Sequence, residues 1–367
     1  MGIKMKRILI ILPNLDLGGT ELVVMNYLRA GGLIFDFVVH DEAGYYEAEA
    51  RALGARIFRV PTRSQGFWYN IGAMRALYKK YPEYNTVVVC SEHSFAFIEL
   101  AVAWLSGVKT RAAWSHFSNY QGASRVKKLA HFIARPLLCL FANIFLACTQ
   151  NAGEWLFGGT FSPLLKNHHI IKNAIDFTNF AFDPAVRERS RQLHGIPNEA
   201  FVLGVVGRLT PVKNHAFVLE VLKQLQNGSA PVNVYLLLVG DGELRAQLES
   251  EAKHLQASGR VIFAGQAESA SYYSAFDAFL LPSLHEGLPL AALEAQAAGL
   301  PALISTTVTK EVKISESVDF LPIDGGVQPW VQKITALQAV KHNRIVDLSQ
   351  SEYNIKNAAA KLRSILC

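Results

Sequence analysis

The chain has 367 residues, half of them hydrophobic, with a formal charge of +6. That length is too great for one ordinary core and suits two domains, neither short of apolar surface to bury. Its four cysteines (Cys90, Cys139, Cys148, Cys367) form no CxxC pair and follow no regular spacing, which excludes a disulfide framework or zinc site and fits a reducing compartment.

The N-terminus places basic residues before an apolar run, but Ile8 to Leu12 is too short for a signal-peptide core and stops at Pro13. Lys6 stands where a myristoylation signal would want Ser or Thr. The longest greasy stretch elsewhere, Leu137 to Cys148, falls short of the ~20 residues that span a bilayer. The expectation is a cytoplasmic protein without a spanning helix, able to attach peripherally to the inner face of the membrane. Residues 1–168 carry 18 Lys and Arg against 11 Asp and Glu, and the remainder 18 against 19. The first half therefore faces something anionic.

Taken in order, Arg7 to Leu12 reads as a buried strand, followed by the loop Asn14 to Gly19 and a helix from Thr20 to Arg29. Phe35 to His40, Arg56 to Val60, Thr86 to Cys90, Thr110 to Ser115 and Ile144 to Cys148 are further strands, with Tyr46 to Leu53 helical. The Pro-containing stretch from Phe182 to Asn198 reads as the approach to a second domain. There Phe201 to Gly207, Val234 to Val239, Val261 to Ala264, Ala278 to Leu281 and Pro301 to Ile304 are strands with helices between them. Asn354 to Leu366 is a closing helix. Alternating strands and helices predict an α/β fold of two doubly wound, Rossmann-like domains, 1–170 and 171–351, with helix 352–367 packing back on the first. Ligands of such sheets sit outside the carboxyl ends of the strands, here in a cleft between the domains.

The strongest signal is Pro282 to Pro301, PSLHEGLPLAALEAQAAGLP, which begins just after a strand. Pro289 suits the first position of a helix. At ~1.5 Å per residue, Glu286 and Glu294 would stand roughly 12 Å apart. The helix N-terminus between them would hold phosphates by its free N–H groups and dipole. Glu294 could then accept from ribose hydroxyls while Glu286 contacts a sugar. A capped amphipathic helix with one solvated glutamate is the plain alternative.

This run resembles the E-x7-E signature of retaining GT-B glycosyltransferases of the family 4 type (group 1). LDLGGTELVVMNYL, SHFSN, KNAID, VVGRLTPVKN, LLLVGDGELR, VIFAGQ and FDAFLLPSLHEGLPL match in the same order over nearly the whole chain. ISTTVTKEVKI resembles a subgroup of capsular and exopolysaccharide assembly. The resemblance implies a retaining transferase moving a sugar from a nucleotide sugar, a UDP-sugar, to a lipid-linked or oligosaccharide acceptor of a bacterial surface polysaccharide. It implies catalytic roles for His116, Glu286, Arg208 and Lys213. Donor contacts would come from Gly18, Gly19, Arg208, Lys213, Gly265, Gln266, Glu286, Gly287, Leu288, Pro289, Leu290 and Glu294. Arg208 and Lys213 follow a strand end, where two cations offset the charge of a leaving diphosphate in place of a metal. No DxD motif occurs, so no metal or other cofactor is expected.

Gly18 and Gly19 let the backbone approach a phosphate or reacting carbon closely. Retention without a placed nucleophile implies front-side departure, so His116 and Glu286 are assigned to positioning and charge stabilisation. Asn173 and Asp176 match a junction motif in which Ala174 replaces the usual glycine, and junction structure is their expected role. Gly240, Asp241 and Gly242 form a turn near the nucleotide. Glu311 resembles a downstream family glutamate, although Val308 and Thr309 replace the glycines that often precede it. In Arg125 to Arg135, Val126, Leu129, Ala130 and Ile133 recur at helical spacing beside Arg125, Lys127, Lys128, His131 and Arg135. Such a helix either lies on an anionic membrane or packs its apolar stripe on the first domain. An epimerase or hydrolase of the same fold, a dinucleotide-dependent dehydrogenase and a non-catalytic sugar-nucleotide-binding partner stay open as alternatives. The absent GxGxxG argues against the dehydrogenase. Nucleic acid is not an expected partner.

Overall fold

The structure is a computed structural model that describes residues 6–40, 44–116, 124–159, 167–227, 233–253, 255, 260–267, 269–340 and 343–367. Residues 1–5, and the last three residues of SHFSN (117–119), lie outside the described residues. Two compact units form, one running to Ala174 and taking in Glu352–Cys367, the other Ile175–Ser351. The split falls inside the KNAID segment.

The first unit contains β1 (Arg7–Ile11), α1 (Gly19–Arg29), β2 (Ile34–Val39), α2 (Glu47–Ala52), β3 (Ile57–Arg59), α3 (Phe67–Lys80) and β4 (Thr86–Cys90). It continues through α4 (Phe97–Leu105), β5 (Thr110–Ser115), α5 (Arg125–Phe141), β6 (Ile144–Ala147), α6 (Gln150–Phe157) and β7 (His168–Ile170). Its strands form one parallel sheet in the order β3-β2-β1-β4-β5-β6-β7. β4 shows why: all five positions of Thr-Val-Val-Val-Cys are buried, the continuous apolar run of a strand covered on both faces.

The second unit contains α7 (Pro184–Leu193), β8 (Phe201–Val206), α8 (His215–Gln226), β9 (Val234–Val239), α9 (Arg245–Glu251), β10 (Val261–Gly265) and α10 (Ala270–Tyr273). β11 (Ala278–Leu281), α11 (Leu290–Ala297), β12 (Ala302–Ser305), β13 (Val318–Leu321) and α12 (Gln328–Gln338) follow. The sheet order is β10-β9-β8-β11-β12-β13, again parallel. In both sheets the strand order reverses beside the first strand, so each has a topological switch point, between β1 and β4 and between β8 and β11. A last helix, α13 (Ile355–Leu366), belongs to the first unit and buries Ile355, Ala358, Leu362 and Leu366. Lys6 Nζ caps it by donating to the Leu366 carbonyl at 2.6 Å.

Three local readings change. The stretch after Phe182 is not a plain approach, because Asp183 caps the amides of Ala185 and Val186 and starts α7. Arg191 on that helix is fully buried and donates to the carbonyls of Asn198, Ala200 and Ala275 and to Asp277 at 2.7 Å. A guanidinium can lie there only because acceptors surround it. α5 continues past Arg135 and through Pro136 to Phe141. Finally, Pro289 is not the first helical residue: its ψ of 116 makes it the N-cap of α11. The helical rise therefore does not apply between Glu286 and Pro289, and Glu286 instead bridges in parallel to Val308.

Candidate active site

Three loops leave the carboxyl edge of the second sheet after β8, β9 and β10, each through a glycine with positive φ: Gly207 (154°), Gly240 (139°) and Gly265 (75°). Their backbones are laced together. The Gly240 amide donates to the Gly265 carbonyl at 2.8 Å, Gly207 to Val239 at 2.9 Å, and Leu209 to Asp241 at 3.0 Å. A Cβ on Gly240 would stand 2.0 Å from the Gly207 oxygen, and one on Gly242 2.5 Å from the Leu209 oxygen. Gly240 and Gly242 of VGDG are thus required by backbone approaching backbone, and Gly207 of VVGR by its positive φ. Asp241 turns its Oδ1 onto the Gly242 amide at 2.7 Å. Gln266 is exposed beside Gly265.

Lys213 ends a short 3₁₀ turn, Pro211–Lys213, and Asn214 follows in the left-handed region at φ 54. Asparagine tolerates that conformation better than most residues, and its amide donates to the Pro282 carbonyl at 3.2 Å. The Leu284 amide donates to the Val212 carbonyl at 2.8 Å. These two bonds fasten the Lys213 loop to the Pro282–Gly287 loop, and Lys213 Nζ meets Glu286 Oε1 at 2.5 Å. The same oxygen accepts from the fully buried Ser283 hydroxyl at 2.7 Å. Thr307 in turn donates to the Ser283 carbonyl at 2.6 Å. Lys213 and Glu286 are 22% and 13% exposed, enough to meet a ligand while screening one another. Arg208 is exposed on the first of the three loops.

Past the open Gly287 and partly buried Leu288, α11 starts at Leu290 behind the buried Pro289. Glu294 is one turn in and buried. Its Oε2 accepts from Tyr273 Oη at 2.6 Å and Ser269 Oγ at 3.3 Å. Burial pushes its pKa up, opposed by those two bonds and by the charge of Lys213. The structure therefore joins Lys213, Glu286 and Glu294 electrostatically on one unit. Ser283, Tyr273, Ser269 and Asn214 complete the arrangement; Asn214 and Ser283 lie within the VKN and PSLHEG motifs, whereas Tyr273 and Ser269 carried no sequence signal. Glu311 follows Thr309, whose hydroxyl caps its amide at 3.4 Å. The buried Val308 takes the bridge to Glu286, so a side chain fills the place where family members often have glycine.

In the first unit His116 directly follows β5. Its ring lies 4.7 Å from that of Trp114, and Nδ1 lies 3.3 Å from Asn173 Oδ1. An amide oxygen only accepts, so Nδ1 carries the proton and Nε2 offers a lone pair. Nε2 is buried without a hydrogen-bond partner among the described residues. Burial pushes the imidazole pKa down to about 4. Asn173, expected to serve the junction, is thus a direct partner of His116, whereas Asp176 only caps Thr178, at 3.0 Å to its amide. His116 is expected to stay neutral from pH 8 down to about pH 5. Ring ¹⁵N shifts in labelled protein check this, and protonation above pH 6 would remove the neutral-acceptor assignment.

Gly18 is the N-cap of α1. A Cβ there would meet the Glu21 carboxylate at 2.0 Å, while Gly19 faces open space. Burial raises the pKa of Glu21.

Comparison with known proteins bears on this arrangement. A family model described as glycosyl transferases group 1 matches residues 186–318, a span from α7 to β13 that includes Lys213, Glu286 and Glu294. The putative glycosyltransferase EpsF of Bacillus subtilis (strain 168) is 31% identical over 350 residues, covering 92% of this chain and 89% of the relative. The UDP-Gal:alpha-D-GlcNAc-diphosphoundecaprenol alpha-1,3-galactosyltransferase of Escherichia coli is 36% identical over 141 residues, 37% of this chain and 36% of the relative. Among solved structures, Anabaena Alr3699/HepE in complex with UDP and glucose superposes with a TM-score of 0.71 at 18% identity, covering 98% of this chain and 95% of that one. WaaG, a glycosyltransferase involved in lipopolysaccharide biosynthesis, gives 0.65 at 16% identity, covering 97% and 95%. The two parallel sheets share the architecture of these GT-B proteins.

Proposed function

Because the chain belongs to the group 1 glycosyl transferases, we propose that it moves a sugar from a UDP-sugar to a lipid-linked saccharide of a bacterial surface polysaccharide, with retention and without a metal. The observation that carries this reading is the Lys213–Glu286 contact at 2.5 Å beside the N-terminus of α11. A cation, a carboxylate and the free amides of a helix start are what a glycosyl diphosphate needs. The printed donor and acceptor of the Escherichia coli relative support the UDP-sugar and the lipid diphosphate carrier.

In this reading the diphosphate lies on the first turn of α11, with Lys213 and Arg208 taking up its charge. As the bond from C1 to the β-phosphate oxygen breaks, that charge grows, and the two cations stabilise it more than they stabilise the bound donor. The acceptor oxygen bonds C1 on the face the phosphate leaves, and its proton passes to the departing phosphate oxygen. Glu286 orients the donor sugar, Glu294 accepts from the ribose hydroxyls, and neutral His116 accepts from a substrate hydroxyl. Backbone groups of Gly265 and Gln266 line the base, and those of Gly18 and Gly19 approach the substrate.

A thermal-shift screen of nucleotide sugars tests the donor, since ligand bound only to the native state raises its melting temperature. UDP-sugars are expected to stabilise the protein, equally in EDTA, and GDP- and ADP-sugars much less. Glu294→Gln should weaken the UDP effect about tenfold in affinity, the worth of one charge-assisted hydrogen bond. No shift with any UDP-sugar, or one that needs a divalent ion, would overturn this reading.

A further inference from the structure

Of the two placements open to helix α5, the structure does not show its apolar stripe packed on the first unit. The residues turned into the first unit are His131, Ala134 and Leu138. His131 is fully buried, stacked on Trp155 at 4.5 Å, with its Nδ1 2.7 Å from the Ser94 hydroxyl and its Nε2 3.1 Å from the Trp155 carbonyl. The apolar stripe faces outward instead. Val126, Leu129, Phe132, Ile133, Leu137 and Leu140 are all exposed, Val126 at 76% and Ile133 at 70%. Ring contact between Trp104 and Phe141 joins the end of α4 to this face, where Trp104 and Leu105 are exposed as well. So many large apolar side chains on one face of a monomer mark an interaction surface.

Charge decides the occupant. Between Glu99 and Glu154 the sequence has no Asp or Glu, yet it carries Lys109, Arg111, Arg125, Lys127, Lys128 and Arg135. Arg125, Lys127 and Lys128 stand at the start of the outward stripe and Lys109 beyond the end of α4, so cations flank the apolar face at both ends. A second copy placed symmetrically on this face would bring those cations against their equals. An anionic bilayer accepts both features at once, the stripe entering the headgroup boundary and the cations meeting lipid phosphates.

We propose that the outer face of α5, with Trp104 and Leu105, is a docking surface for an anionic phospholipid membrane. This surface does not depend on the donor or acceptor reading. Flotation of the full chain with phosphatidylcholine vesicles, with and without phosphatidylglycerol, tests it at 0.1 and 0.5 M salt. The protein should float with the anionic vesicles, more weakly at the higher salt. Ile133→Asp with Leu140→Asp should abolish flotation. Lys127→Glu with Lys128→Glu should lower partitioning at least tenfold, each charge near the surface being worth about fivefold. Unchanged circular dichroism and melting temperature show that each variant is folded. Failure of the wild type to float, or flotation indifferent to both pairs, would overturn the proposal. So would dimerisation of the lipid-free chain in sedimentation velocity that Ile133→Asp with Leu140→Asp abolishes, which assigns the face to self-association.

Discussion

Replacing Lys213 by alanine is expected to lower kcat by about 10²–10³-fold, the usual cost of removing one preorganised group that stabilises developing charge. KM for the donor should change far less, because in the proposed mechanism the phosphate charge that Lys213 neutralises is greatest at bond cleavage. The side chain is already held in place: Asn214 and Leu284 fasten its loop to the Pro282–Gly287 loop, and Glu286 fixes its ammonium. The enzyme therefore reorganises little to use it. Removing it also leaves Glu286 Oε1 on the Ser283 hydroxyl alone, so the carboxylate proposed to orient the sugar loses part of its anchor. Glu286→Ala should consequently cost much less in the Lys213→Ala background than in the wild type, since the two act as one unit. Steady-state transfer assays on both single variants and the double variant measure this. A loss under tenfold for Lys213→Ala, or additive losses, would remove the pair from catalysis.

Gly240→Ala should be the most damaging small substitution in the second unit. A methyl there would lie 2.0 Å from the Gly207 oxygen, and φ of 139° is strained for any residue with a Cβ. Strain and overpacking together cost about 3–5 kcal/mol. For a unit of this size that lowers the melting temperature by roughly 10 °C. Gly207 leads directly to Arg208 and the Lys213 turn, so relief of the clash would move the two cations proposed to take up the diphosphate charge. Donor affinity should fall along with stability. Gly72→Ala in α3, outside the binding machinery, is the control, with nothing within 4 Å of its Cβ. Calorimetry of both variants with and without UDP provides the check, and a Gly240→Ala melt within 2 °C of wild type would refute the close approach.

Most strands were legible because parallel strands covered on both faces read as unbroken apolar runs, and those of β1, β4, β8 and β11 lie within a residue or two of expectation. β7 and β13 were not. His168–Ile170 has only three residues with two histidines, and Val318–Leu321 is interrupted by Asp319. α7 was hidden by polarity, since its anchor is Arg191 and not an apolar stripe. Pro289 was placed one position too far into its helix because a proline suits both a first turn and an extended N-cap.

The sequence by itself determined the two-unit α/β plan, the glycines at strand ends, and the glutamate before the helix start that meets Lys213. These follow from local periodicity and from motifs whose spacing lies within one loop. Only the tertiary structure decided that Asn173 serves His116, that Tyr273 and Ser269 hold Glu294, and that Ser283 supports Glu286. Each joins separate elements, and such contacts leave no local period. The same holds for α5: its apolar stripe lies beside His131 and four cations, so the side turned inward depended on whether His131 could find partners there. Ser94 and the Trp155 carbonyl supplied them, and the larger apolar stripe was left outside.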